Sequence, residues 1–185
     1  MTMSALDAES TSHVVEIGGV PVRYHEAGTS PADVGSGPGD AGTLVFLHGG
    51  GPGASSWSNF GRNLGVFAQH YRTLMMDLPG YGKSAPRPPT ANFFTLGAHA
   101  LLGLIDHLGI DKVHLIGNSL GGGTALRFAL NYPKRAGRLV LMGPGGLTLN
   151  VLAPDPTEGV RRLMDFGAPP GPSREKMEAF LRVKV

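Results

Sequence analysis

The stretch KVHLIGNSLGGGTALRFALNYP, Lys112 to Pro133, changes character once. Its first residues are an apolar run, the pattern of a strand covered on both faces. From Leu120 the pattern is that of a helix, stopped by Pro133. Between the two, Gly117, Ser119 and Gly121 stand in the spacing G-x-S-x-G. A serine on a sharp strand-to-helix turn holds its hydroxyl clear, and glycines two residues to either side leave room for the bent backbone. The N-terminus of the following helix favours developing negative charge. Ser119 is therefore a candidate nucleophile, and the backbone N–H of Leu120 a candidate oxyanion donor.

Working outward, TLVFLH (43–48), RTLMMD (72–77) and GRLVLMGP (137–144) repeat the buried-strand pattern. The segment 55–71 carries Trp57, Phe60, Leu64 and Phe67 at helical spacing, and 95–110 carries Leu101, Leu104, Ile105 and Leu108. Strands that alternate with helices imply an α/β fold with a mostly parallel sheet and helices on both faces. Ligands of such sheets bind beyond the carboxyl ends of the strands, where His48, Asp77, Asn118, Ser119 and Gly143 fall. The loop HGGGPGASS (48–56) follows one strand directly, and its glycines allow close approach to a substrate oxygen, so Gly50 is the second candidate oxyanion donor. Ahead of it, VVEIGGVPVRYHEAG (14–28) reads as two strands around a Gly18-Gly19 turn, and 29–42 as a surface loop. After Pro144 the pattern loosens. A short helix is expected within 157–173, and Ser173 is a plausible N-cap for a last helix with Met177, Phe180 and Leu181 on one stripe. The expected organisation is a core over 1–150 and the start of a helical lid over 151–185.

Composition narrows the function. The chain has 185 residues, 41% of them hydrophobic and 16% charged, which is a globular balance. A net charge of +2 with scattered arginines and lysines lacks the dense basic stripe of a nucleic-acid surface. There is no cysteine, so no disulfide and no thiolate metal site. MTMSALDAES has neither a basic nor an apolar signal region, and no apolar run reaches the length of a membrane span, so the cytoplasm is the expected compartment. DLPGYGKS (77–84) looks like the end of a phosphate-binding loop, but Asp77 stands where that loop needs glycine and no helix pattern follows.

Taken together, H-G-G, D-x-P-G-x-G-x-S and G-x-S-x-G resemble the α/β-hydrolase superfamily. More narrowly, HGGGPGASSWSNF (48–60), GNSLGGGTALRFAL (117–130), RLVLMGPGG (138–146) and APDPTEGV (153–160) resemble the meta-cleavage product hydrolases, closest to the actinobacterial branch that acts on a seco-steroid dienoate. The resemblance runs from about Val20 to the end of the chain. It implies hydrolysis of a carbon–carbon bond in a 2-hydroxy-6-oxo-dienoate, ketonised before water cleaves it. It matches Ser119 to the nucleophile, and Leu120 and Gly50 to the oxyanion donors. Gly50, Gly51, Asn59 and Asn118 match the residues that hold the dienoate end. It implies a small-molecule dienoate partner, no cofactor and no metal, and allows a homo-oligomer. The proline iminopeptidases share a similar H-G-G-P-G loop, but carry a bulky aromatic after the serine where this chain has Leu120.

The order expected of such a triad is serine, acid, histidine. All seven histidines of this chain lie at or before His114. By resemblance the triad acid, the histidine and a lid arginine follow Val185, so the expectation is a C-terminally truncated hydrolase lacking its last strands and most of its lid. Asp155 reads as part of the lid. The alternatives are a dienoate-binding chain without turnover, a non-functional fragment, or an iminopeptidase- or esterase-like hydrolase. The strand at 138–142 is then expected to be an open apolar edge.

Overall fold

A computed structural model describes residues 6–28, 42–84, 92–146 and 173–181. The chain divides into two compact units, Met1–Gly145 and Gly146–Val185.

The first unit holds a six-stranded sheet in the order β1-β2-β4-β3-β5-β6. Strand β1 (Ser12–Ile17) turns through Gly18 and Gly19 into β2 (Val20–Ala27). Both glycines have positive φ, 60° and 78°, which is the backbone a two-residue hairpin turn requires. Strands β1 and β2 pair antiparallel, and β2 pairs antiparallel with β4 (Arg72–Met76). The other pairings are parallel: β3 (Thr43–Leu47) lies between β4 and β5 (Val113–Asn118), and β6 (Ala136–Met142) flanks β5.

Each parallel connection carries a helix: α1 (Ser56–Phe67), α2 (Phe93–His107) and α3 (Leu120–Asn131). Every side chain of β3 is buried, as its unbroken apolar run implies. The strand sorts its residues by parity. Val45 and Leu47 join Leu74, Met76, Leu101, Leu104 and Phe128 in the larger core, which α2 and α3 cover. Leu44 and Phe46 join Phe60, Leu64 and Met75 in a second core under α1. Helices therefore cover both faces of the sheet, and each large apolar side chain so buried contributes about 1.5–3 kcal/mol relative to exposure.

The helix boundaries differ by a few residues from the sequence expectation. Helix α2 starts at Phe93 because the Asn92 side chain accepts from the Thr95 N–H at 3.1 Å. Helix α1 opens on a reciprocal cap between Ser55 and Ser58. Among the described residues strand β6 is an edge, with Val140 54% and Met142 40% exposed.

In the second unit, the described part is α4 (Arg174–Leu181), whose Lys176 N–H donates to Ser173 Oγ at 3.1 Å. The stripe of Met177, Phe180 and Leu181 and the short helix expected within 157–173 lie outside what is described.

Candidate active site

The parallel part of the sheet starts at β3, adds β4 on one side, then crosses back through α2 to add β5 on the other. The direction of winding thus reverses at β3, and crevices form where loops leave such a reversal in opposite directions. The loops after β3 and β5 meet there. Leu47 pairs with Gly117, the last register position of the two strands, and the next residues of each are the glycine loop and Ser119.

Ser119 turns the chain from β5 into α3 with φ 48° and ψ −108°, the one positive φ outside glycine among the described residues. Its backbone is held from both sides. The N–H donates to Met142 O at 2.8 Å, and the carbonyl accepts from Gly145 at 2.7 Å and Gly123 at 3.1 Å. The residue is exposed, and its hydroxyl bonds to no described residue. The turn is possible because the first turn of α3 carries three glycines, Gly121 to Gly123, pressed against backbone and against the Pro144 and Phe94 side chains. A methyl group on Gly121 would strike the carbonyl oxygen of Leu47, and one on Gly123 that of Gly145. On Gly122 it would lie 2.8 Å from Pro144 Cβ.

The two candidate oxyanion donors sit around this turn. Neither the Leu120 N–H nor the Gly50 N–H donates to a described group. Gly50 is exposed, and a Cβ placed on it would lie 3.3 Å from Leu120 Cδ2 and 3.1 Å from the Tyr81 hydroxyl. Gly51 follows with φ 130°.

The two asparagines form a linked pair. Asn59 Oδ1 accepts from the Gly49 N–H at 3.1 Å and from Asn118 Nδ2 at 3.4 Å. Asn59 Nδ2 points back along its own helix to Ser55 O and Ser58 Oγ, each at 3.3 Å. Asn59 therefore spends its amide on shaping the glycine loop and orienting Asn118. The Asn118 carbonyl oxygen bonds to no described residue.

His48 and Asp77, also at strand ends, are locked into the scaffold. His48 is fully buried; its Nδ1 meets Gly49 O at 2.8 Å and its Nε2 accepts from the Leu78 N–H at 3.0 Å. The second bond requires a neutral ring protonated on Nδ1. Burial pushes its pKa below the ordinary imidazole value, opposed by the Gly49 carbonyl and the Asp77 charge. Asp77, 1% exposed, accepts from Ser56 N at 2.7 Å, Ser56 Oγ at 2.6 Å and Lys83 N at 3.0 Å. Ser84 completes this loop, donating to Asp77 O at 2.8 Å and accepting from Arg23 N–H at 2.9 Å. The residues of DLPGYGKS thus serve to fold a loop beneath α1, a role that spacing alone does not reveal.

No histidine bonds to Ser119. His114 Nδ1 accepts from the Arg138 N–H at 2.9 Å, at an irregularity in the β5–β6 pairing. His25 is buried with Nδ1 3.0 Å from Thr11 Oγ1, and His13 stacks on Tyr24. His70, His99 and His107 are exposed. Among the described residues, no three histidine, cysteine or acidic side chains gather as metal ligands, and no helix is long and apolar enough to cross a membrane.

Comparison with known proteins places this geometry. The family model for the alpha/beta hydrolase fold matches residues 42–171. A 2-hydroxy-6-oxo-6-phenylhexa-2,4-dienoate hydrolase of Comamonas testosteroni is 42% identical over 86% of this chain and 53% of its own length. A 2-hydroxy-6-oxononadienedioate/2-hydroxy-6-oxononatrienedioate hydrolase of Paraburkholderia phymatum is 42% identical over 100% of this chain and 61% of its own. Among solved structures, the 2-hydroxy-6-oxo-6-phenylhexa-2,4-dienoate hydrolase of a Rhodococcus strain superposes with a TM-score of 0.68 at 31% identity, over 86% of this chain and 55% of that one. The meta-cleavage product hydrolase of Pseudomonas fluorescens gives 0.71 at 30% identity, over 91% and 55%. The chain spans 53% to 61% of the length of the curated relatives named here.

Proposed function

The chain belongs to the α/β-hydrolase fold family, and from that premise we propose that it serves the hydrolysis of a carbon–carbon bond in a 2-hydroxy-6-oxo-dienoate, with Ser119 as nucleophile. The observation that carries this reading is the exposed serine at φ 48°, flanked by two backbone N–H groups that have no described acceptor. Likeness to dienoate hydrolases over nearly the whole chain selects the substrate class.

In this reading the dienol is first ketonised by protonation at C5, which makes C5 tetrahedral and turns C2 into a ketone conjugated with it through the C3–C4 double bond. The Gly50 and Leu120 N–H groups then hold the oxygen of the C6 carbonyl as it becomes tetrahedral and takes up charge. When the C5–C6 bond breaks, its electron pair is delocalised onto the oxygen at C2. Gly51 and Asn118 meet this acid end, and Asn59 keeps them in place. The water's oxygen ends in the acid product. The proton of Ser119 needs an acceptor. No histidine in these 185 residues is bonded to it, so the reading assigns the base and its acid partner to residues outside this stretch. Within the class we infer a seco-steroid dienoate as the preferred substrate, on the likeness of 48–60, 117–130 and 138–146 to that branch.

The test uses the coloured 2-hydroxy-6-oxo-6-phenylhexa-2,4-dienoate and its seco-steroid counterpart. The 185-residue chain is expected to bind both saturably, the steroid more tightly, without loss of colour. A form extended to the length of the relatives is expected to bleach them, and Ser119→Ala to abolish that bleaching. Absence of binding, or turnover that survives Ser119→Ala, overturns the proposal.

A further inference from the structure

Tyr81 has no role in the site as read from the sequence, yet its hydroxyl lies beside the glycine loop. It would be 3.1 Å from a Cβ on Gly50, while the Leu120 side chain closes the other side at 3.3 Å. Its ring is fixed edge-on to His48, centroids 5.3 Å apart, and edge-on to Phe93 at 5.7 Å. His48 is itself held at both nitrogens. The ring is therefore placed as firmly as the loop it faces. The hydroxyl bonds to no described residue. Nor is it a buried orphan, since His25 Nε2 is the one fully buried side-chain nitrogen or oxygen without a partner among the described residues. An unpaired hydroxyl that a ligand can reach, on a rigid ring, is a donor awaiting an acceptor.

Successive glycines of the loop face different groups. A Cβ on Gly49 would meet Asn118 Nδ2 at 2.9 Å and Asn59 Oδ1 at 3.6 Å. One on Gly50 would meet Tyr81 and Leu120. The asparagine side suits the acid end of a dienoate. The tyrosine side adjoins both proposed oxyanion donors.

We propose that the Tyr81 hydroxyl donates a hydrogen bond to the acyl (C6) oxygen of the bound dienoate, a third donor beside the Gly50 and Leu120 N–H groups. This rests on the dienoate reading above. A site built to hydrogen-bond a substrate oxygen discriminates strongly against analogues without it, so Tyr81 selects for the ketone and not for the acid end.

Two probes test this with the 185-residue chain: 2-hydroxy-6-oxo-6-phenylhexa-2,4-dienoate, which has the acyl oxygen, and 2-hydroxypenta-2,4-dienoate, which does not. Tyr81→Phe keeps the ring. It is expected to weaken binding of the first about tenfold, and of the second less than about twofold, with an unchanged melting temperature. The absorption band of the bound first probe is expected to move, because its ketone loses a donor. Equal weakening of both probes makes Tyr81 merely structural and overturns the assignment, as does unchanged binding of both. If the unsubstituted chain binds neither probe, the dienoate reading fails, and the assignment with it.

Discussion

Ser119 occupies backbone that non-glycine residues avoid, at a cost of about 1–3 kcal/mol. Ser119→Gly removes both the strain and the hydroxyl. It is expected to raise the unfolding free energy by about 1 kcal/mol in urea titration, while the hydrolytic capacity of an extended form disappears. Stability and chemistry then move in opposite directions at one residue. The buried histidines carry a second expectation. Burial lowers the pKa of His48, and burial followed by the Arg23 charge lowers that of His25. Unfolded, both return to about 6.5, so below that pH the unfolded chain binds more protons than the folded one. Stability is therefore full above about pH 6.5 and falls as pH drops from there toward the folded values. Urea titrations at neutral and mildly acid pH should show the loss, and His48→Gln should remove its share of the slope. The turn at Ser119 and the glycine loop beside it were legible in the sequence because strand, turn and helix signals converge there. Tyr81 and the Asp77–Ser56 pair were not. Ser56 lies 21 positions from Asp77 and Gly50 lies far from Tyr81 in the chain, and only the folded chain brings them together.

At the scale of elements, the loop after β4 and the helix after β3 are one mechanical unit. The Asp77 carboxylate binds the N–H and hydroxyl of Ser56, the first residue of α1, so an anion sits at a helix N-terminus. Asp77→Ala strands three donors and is expected to cost about 3–5 kcal/mol by chemical unfolding. Because α1 carries Asn59, weaker binding of a dienoate should accompany it even below the unfolding transition. Asp77→Asn, which keeps an acceptor, should recover part of both. The helices themselves were readable from apolar spacing: Phe60 and Leu64 are buried, as are Leu101, Leu104 and Ile105. Their ends were less so. Thr95 offers as good a start signal as Asn92 until the side-chain bond that Asn92 makes is seen.

Over the whole molecule, parallel strands read as apolar runs, so the α/β architecture followed from the sequence with little loss. The edges did not contradict it: β6, paired on one side with β5, leaves Val140 and Met142 exposed at the edge of the sheet among the described residues. Such an edge recruits other chains. The isolated chain is expected to self-associate with rising concentration, and Val140→Lys to reduce light scattering while shifting stability by less than about 0.5 kcal/mol. The three glycines that open α3 have a different reach. Two of them dock the helix on the carbonyls of Leu47 and Gly145, so the place of the Ser119 turn is set in large part by main-chain atoms. A directed-evolution library could vary the groups proposed to choose a substrate, Tyr81 and Asn118 among them, and screen thousands of specificities while the proposed nucleophile keeps its address.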